Sequence, residues 1–194
     1  MNKTKAILLF LILVLPVLIY LFLQGFGKNQ FAIPVYYESG LQNSQDDCGN
    51  DAKNGPYRLV HASIRELLGT NEFEESINVY EIGNRDSHQL RNNLYTFLEK
   101  YKDRKGVNLI SIREEKDTVF SPSRYGAWYR FNLSDSNLLS LGRCILRLDI
   151  GSDMKADSGL VLVDKKLQIR GYYDPLKLKE IDRLNTEIYI LLSE

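Results

Sequence analysis

The chain begins with an unbroken apolar run. Ala6 to Leu23 reads AILLFLILVLPVLIYLFL, eighteen residues without a charge or an amide. About 20 apolar residues at 1.5 Å rise cross a hydrocarbon core of ~30 Å, so the pattern predicts a membrane helix ending at the Gln24–Phe26 interface. Pro16 removes one helix hydrogen bond, which neighbouring groups in a membrane tolerate. Lys3 and Lys5 precede the run and only Lys28 follows it closely, which places the N-terminus in the cytoplasm and the rest of the chain outside it. The competing reading is a cleaved signal peptide. Its apolar region is usually ~7–15 residues and ends in small residues, whereas Leu23-Gln24-Gly25-Phe26-Gly27 offers no such site.

Beyond the run the pattern changes. Residues 28–60 read as an irregular juxtamembrane segment. Phe31–Tyr37 is a candidate extended edge, restricted to an edge by Pro34, and Asn43–Pro56 is a loop holding Cys48. Ile77–Ile82 alternates at period two and reads as a strand. After a turn at Gly83-Asn84-Arg85, Asp86 or Ser87 can cap a helix. Leu90, Leu94, Phe97, Leu98 and Tyr101 share one face of that helix. Val107–Ile112 is a second strand, which makes a βαβ unit with a crossover long enough for parallel pairing. A looser stretch around Trp128 follows, then a short helix capped by Ser134, then a short extended piece at Cys144–Leu148. Leu160–Val163 and Leu167–Tyr173 flank Asp164-Lys165-Lys166 as a hairpin. Pro175 opens a last helix with Leu178, Ile181, Leu184, Ile188 and Leu191 on one face.

The order β-α-β-α-β-β-α matches an α/β thioredoxin-like sandwich, a mixed central sheet flanked by helices, although other α/β arrangements share it. The predicted organisation is an anchor at 1–27, a juxtamembrane segment at 28–60 and a domain at 61–194. Charge refines this picture. Zero net charge combines an acid-free anchor carrying two lysines with an outer chain of 23 bases against 25 acids. Such a balance excludes a nucleic-acid binder, which needs clustered basic surface. Two cysteines are too few for a disulfide scaffold or a Cys-rich zinc site.

Several phrases resemble the Sco/SenC family, membrane-anchored thioredoxin-like proteins tied to copper delivery in cytochrome oxidase assembly. Leu160–Asp174, LVLVDKKLQIRGYYD, is similar to the family's terminal hairpin, LVD(K)xGxIRGxYDG. Leu109-Ile110-Ser111-Ile112 with Asp117-Thr118 resembles its LSxSVDPxxDT strand and turn. Trp128, Phe131 and Leu138–Leu141 resemble its W-x-F segment and short helix. The resemblance implies a membrane-bound protein with the bilayer as one partner through residues 6–23 and a respiratory-complex protein as another, on the periplasmic side in a Gram-negative cell.

The departures bear on activity. The family's C-x-x-x-C loop belongs between Ile77–Ile82 and the following helix, where this chain has Gly83-Asn84-Arg85-Asp86-Ser87-His88. Its third ligand, a His before the hairpin, falls where Ala156-Asp157-Ser158 stands. Cu(I) favours thiolates, and redox exchange needs two thiols in reach. The expectation is therefore a non-enzymatic protein with no catalytic residue, metal or cofactor, acting by protein contact. The alternative is a thiol–disulfide or copper protein using Cys48 and Cys144 in a rearranged site. Sequence leaves that pair open as a structural disulfide, two free thiols or a redox site. His88 with Asp86 could supply two metal ligands, too few for a site. Asp46-Asp47 and Glu114-Glu115 pair acids in loops without evident convergence. Tyr36-Tyr37 and Tyr172-Tyr173 read as half-buried sheet-edge rings or a partner surface.

Overall fold

The alternation over Ile77–Ile82 builds the centre of the domain. In the computed structural model, which describes residues 3–26, 32–41, 48, 56–59, 61–70, 73, 75–83, 87–115, 123–150 and 159–193, this segment is β1, buried on both faces. The helix α3 (His88–Tyr101) crosses to β2 (Val107–Glu114), which pairs with β1 in parallel. The hairpin β5 (Leu160–Val163) and β6 (Ile169–Tyr173) lies on the other side of β1, with β5 antiparallel to it. The stretch around Trp128, expected to be loose, is instead a second hairpin. Here β3 (Ser123–Tyr125) turns through Gly126 into β4 (Trp128–Leu133), and β4 runs parallel to β2. The sheet order is β3-β4-β2-β1-β5-β6, a mixed sheet of six strands.

The helices divide between the two faces. Ile77, Val79, Val107, Leu109, Leu160 and Leu162 pack under α3 and the last helix, α5 (Leu178–Leu191). Tyr80, Ile82, Ile110, Ile112, Val161 and Val163 pack on the opposite face. There they meet Ile64 and Leu68 of α2 (His61–Leu68) and Leu138 of α4 (Asp135–Leu139). The predicted apolar face of α3 is buried at Leu90, Leu94, Phe97, Leu98 and Tyr101. In α5, Ile181, Leu184, Ile188 and Leu191 are buried, but Leu178 is 60% exposed because the helix starts at it rather than at Pro175. Asp174 delays the start, its side chain accepting the Leu176 amide.

Two further segments differ from the sequence expectation. The extended piece at Cys144–Leu148 is helical at its start. Ser140–Ile145 is a π-helical turn, and the Leu146 amide reaches five residues back to the Leu141 carbonyl. The edge at Phe31–Tyr37 adds no strand over its described residues. Pro34 has no N–H, and the segment meets β6 through the Tyr36 amide on the Ile169 carbonyl at 2.9 Å before turning at Tyr37. Ile33, Tyr57 and Leu59 from the 28–60 stretch are nevertheless buried in the domain core.

The hairpin phrase acquires a physical explanation. Asp164 accepts the Lys166 and Gln168 amides through one oxygen and pairs with Arg170 through the other at 2.9 Å, in a buried arrangement. Arg170 also reaches the Ile33 carbonyl. Gly171 cannot carry a side chain, because a Cβ there would run into the Tyr173 ring. Leu167 stands where the hairpin phrase has glycine and takes φ +63°. That conformation costs a non-glycine residue about 1–2 kcal/mol, which the contact of Leu167 with the core offsets.

The chain separates into two compact units, Met1–Ala32 and Ile33–Glu194. The first holds α1 (Lys3–Phe26), one 24-residue helix with Pro16 inside it. At 1.5 Å per residue it measures about 36 Å. Over the described residues no helix is long and apolar enough to cross a membrane.

Burial of tyrosines makes the domain sensitive to alkali. Tyr101 donates to the Asn185 carbonyl between α3 and α5, and burial pushes its phenol up to about 12 despite the nearby Arg104 charge. Tyr80 is driven up as well, by burial alone. The unfolded chain loses its phenolic protons near pH 10, before the folded chain does, so folding stability is fully present below pH 10 and declines above it. The urea midpoint is expected to fall from pH 10 to about 12, more shallowly in Tyr101→Phe. A flat profile would contradict these assignments.

Candidate functional site

Two places invite function, and the fold separates them. The first is the turn from β1 to α3, where the family resemblance locates a metal loop. Gly83 takes φ +127°, which favours glycine, and Ser87 caps α3 by accepting the Leu90 amide at 3.1 Å. His88 is the first helical residue and is exposed. Asn84, Arg85 and Asp86 lie outside the described residues, as do Ala156-Asp157-Ser158 and Asp46-Asp47. No cluster of three metal-ligating side chains occurs among the described residues. Glu114 ends β2 and Glu115 follows it, its amide donating to the Leu133 carbonyl at 2.8 Å.

Beneath this turn the strands hold charge inside the protein. Glu81, Ser111 and Arg113 follow the alternation of Ile77, Val79 and Leu109 onto the face covered by α3. Glu81 and Arg113 form an ion pair at 2.7 Å, and both are buried. Ser111 accepts the indole N–H of Trp128 at 2.9 Å, and the Arg130 guanidinium lies over the Trp128 ring at 5.5 Å. The three parallel strands β1, β2 and β4 thus end in a polar layer, at the carboxyl edge where open α/β sheets commonly bind ligands. The trace of this layer in the sequence is a charged residue in each strand, Glu81 in β1, Arg113 in β2 and Arg130 in β4.

The second place lies on the opposite sheet face. Cys48 and Cys144 are joined in a disulfide with Cα atoms 5.1 Å apart, and no free cysteine remains. The pair lines a cleft of about 530 Å³ between α2, the Tyr57–Arg58 segment and the π-helical turn. Tyr57 fixes that turn. Its hydroxyl donates to the Ile145 carbonyl at 2.7 Å, with the Cys144 carbonyl at 3.1 Å, and Arg147 lies 5.1 Å from its ring centroid. Arg147 takes φ +55°. Arg58, Glu66, Asn137 and Ser140 complete a largely polar lining. Only the two cysteines hinted at this cleft, since its other residues are scattered from 57 to 147 without a motif.

The tyrosine pairs continue from the cleft. Tyr36 meets Tyr172 edge-on at 5.1 Å, and Tyr37 meets Tyr57 at 6.1 Å. Tyr172 donates to the Leu146 carbonyl, and burial, then the Tyr37 hydroxyl, raise its pKa. Tyr173 is buried under α5, its hydroxyl bonded to Glu187. These rings are mostly packing elements with one wet end. Tyr57→Phe is expected to cost about 1–3 kcal/mol, because two carbonyls of the π-helical turn lose their donor. The check is the urea midpoint, and an unchanged value would show that water replaces the hydroxyl.

No protein-family model and no characterised protein sequence matches this chain. Among solved structures it is similar to BsSco, a member of the Sco family of cytochrome c oxidase assembly proteins. That match has a TM-score of 0.49 at 12% identity and covers 61% of this chain and 81% of that one. It is also similar to a SCO1/SenC family lipoprotein from Bacillus anthracis str. Ames, with a TM-score of 0.48 at 11% identity, covering 62% of this chain and 83% of that one. By the order and direction of its own strands, a parallel βαβ unit joined to an antiparallel ββα unit, the unit Ile33–Glu194 is a thioredoxin-like domain.

Proposed function

We propose that this chain is a membrane-anchored, extracytoplasmic thioredoxin-like protein that acts by protein contact, in the setting of respiratory oxidase assembly, without copper or thiol chemistry at the β1–α3 turn. The observation that carries the reading is chemical. The turn Gly83–His88 contains no cysteine, and both cysteines of the chain are spent in one disulfide elsewhere. Cu(I) held without thiolates at that turn would lack its preferred ligands. Anchoring is supported by the eighteen uncharged residues of Ala6–Leu23 and by lysines on their N-terminal side. The full chain in detergent is expected to take up no stoichiometric Cu(I) against a strong chelator, and tight uptake would overturn the reading. A reporter fused after Glu194 should be active only outside the cytoplasm.

The cleft favours a second reading, in which Cys48 and Cys144 exchange with other thiols. Its support is that the disulfide lines an accessible polar cleft rather than the core. Structural disulfides usually have potentials below about −300 mV, and exchanging ones lie higher. A potential in the upper range, with thiol exchange abolished by Cys48→Ser, would select this reading. A potential below that range would eliminate it.

A further inference from the structure

The cleft beside the disulfide carries more positive charge than it neutralises. Arg58 and Arg147 line it against a single carboxylate, Glu66. Among the described residues neither guanidinium forms an ion pair. Arg147 is also held in place, stacked on Tyr57, whose hydroxyl is tied to the π-helical turn. Its Nε is closed off from solvent and has no hydrogen-bond acceptor. Its backbone is left-handed, a conformation that persists where the surroundings enforce it and is frequent at ligand clamps.

These features fit one kind of ligand. A guanidinium presents a planar fork that matches a carboxylate end-on, through its two Nη atoms, which leaves the enclosed Nε out of the contact. Two cations and one anion leave one net positive charge, which suits a carboxylate better than a phosphate dianion. Asn137, Ser63 and Ser140 add hydrogen-bonding groups along the wall. A cleft of about 530 Å³ is in the size range of small-molecule sites. We propose that this cleft is a carboxylate-binding site in which Arg147 is the fixed fork and Arg58 the outer charge that draws the ligand in. The inference stands independently of the copper and thiol readings, because none of its groups belongs to the β1–α3 turn and no step breaks the disulfide.

The test follows the arginine Nε–Hε signals of the full ¹⁵N-labelled chain in zwitterionic detergent, during titration with succinate and with acetyl-Gly-Glu-Gly-amide. The Arg147 signal, assigned by its loss in Arg147→Gln, is expected to shift saturably with at least one probe. Other amide signals of the cleft should report affinity weaker by about tenfold or more in Arg147→Gln, the scale of a lost charged hydrogen bond. Arg58→Gln, at an exposed position, should weaken binding roughly two- to fivefold, the scale of an exposed ion pair. Arg104→Gln on the far face should leave it unchanged. Tighter binding of the peptide would identify a protein partner as the carboxylate's source, and tighter binding of succinate a free small acid. The proposal is overturned by no saturable shift with either probe, by full affinity in both cleft variants, or by inorganic phosphate binding more tightly than both carboxylates.

Discussion

Replacing both cysteines by serine, C48S/C144S, is expected to lower folding stability by up to about 4–5 kcal/mol. The two residues are 96 apart in sequence, so the bond closes a loop spanning half the chain in the unfolded state. In the chain-entropy account the loss scales with the logarithm of that loop, and denatured-state compactness reduces it. The Cα separation of 5.1 Å lies inside the range a disulfide accommodates, so no backbone shift is needed to form it. The native consequences are unequal at the two ends. Cys144 sits in a π-helical turn whose carbonyls Tyr57 holds, so it should stay in place after reduction. Cys48 reports on the other wall of the cleft, which loses its covalent tie. Urea titrations of the wild type with and without dithiothreitol provide the check. Reduction should lower the midpoint and raise the m-value, because the unfolded chain then exposes more surface. Reduced wild type and C48S/C144S should nearly coincide. An unchanged midpoint on reduction would show that the bond contributes nothing to the fold.

The contrast between the strands legible in the sequence and the β3–β4 hairpin that was not has a physical cause. β1 and β5 are both fully buried, and they were legible as a period-two alternation over Ile77–Ile82 and a dense apolar run over Leu160–Val163. In α3 the helical spacing of Leu90, Leu94, Phe97, Leu98 and Tyr101 was unambiguous, and all five are buried. β4 was missed because Arg130 and Asn132 interrupt its apolar pattern, although Tyr129, Phe131 and Leu133 alternate with them toward the α2 face. Those two polar residues lie on the same face as the Glu81–Arg113 pair, in register with Ser111 and Arg113. They are tolerated inside because the layer is polar there. The Cys144 segment failed for a different reason. Its short apolar run suits a strand or a helix, and the choice was made by Tyr57, far off in sequence. Likewise the cleft depends on residues from three separated segments, which no spacing rule connects. The Gly83–His88 turn was the part of the candidate chemistry that sequence showed directly, because the absence of a cysteine is a property of the chain itself.

Arg113→Met is expected to destabilise the domain by about 3–5 kcal/mol, the usual consequence of leaving a buried charge without its partner. Glu81 is 2% exposed and Arg113 5%, so water cannot take over for either group. The pair meets at 2.7 Å through one Glu81 oxygen, while the other oxygen has no hydrogen bond. A carboxylate already short of partners cannot absorb the loss of the guanidinium, and the end of β1 must open to let water reach it. Glu81→Gln should cost less than Arg113→Met, since an amide keeps a hydrogen bond to the arginine and brings no charge. The double replacement Glu81→Leu/Arg113→Met removes both charges and should recover most of the stability, because a buried ion pair is often matched by apolar residues of similar volume. A double-mutant cycle on urea midpoints separates the outcomes. If the double variant is as unstable as Arg113→Met alone, the pair is not the source of the loss. Arg113 would then act through its bond to the Ile112 carbonyl. If the double variant is restored, the polar layer at the carboxyl ends of β1 and β2 does not exist for stability. Its place at the carboxyl edge of the parallel strands, where open α/β sheets commonly bind ligands, then points to recognition rather than stability.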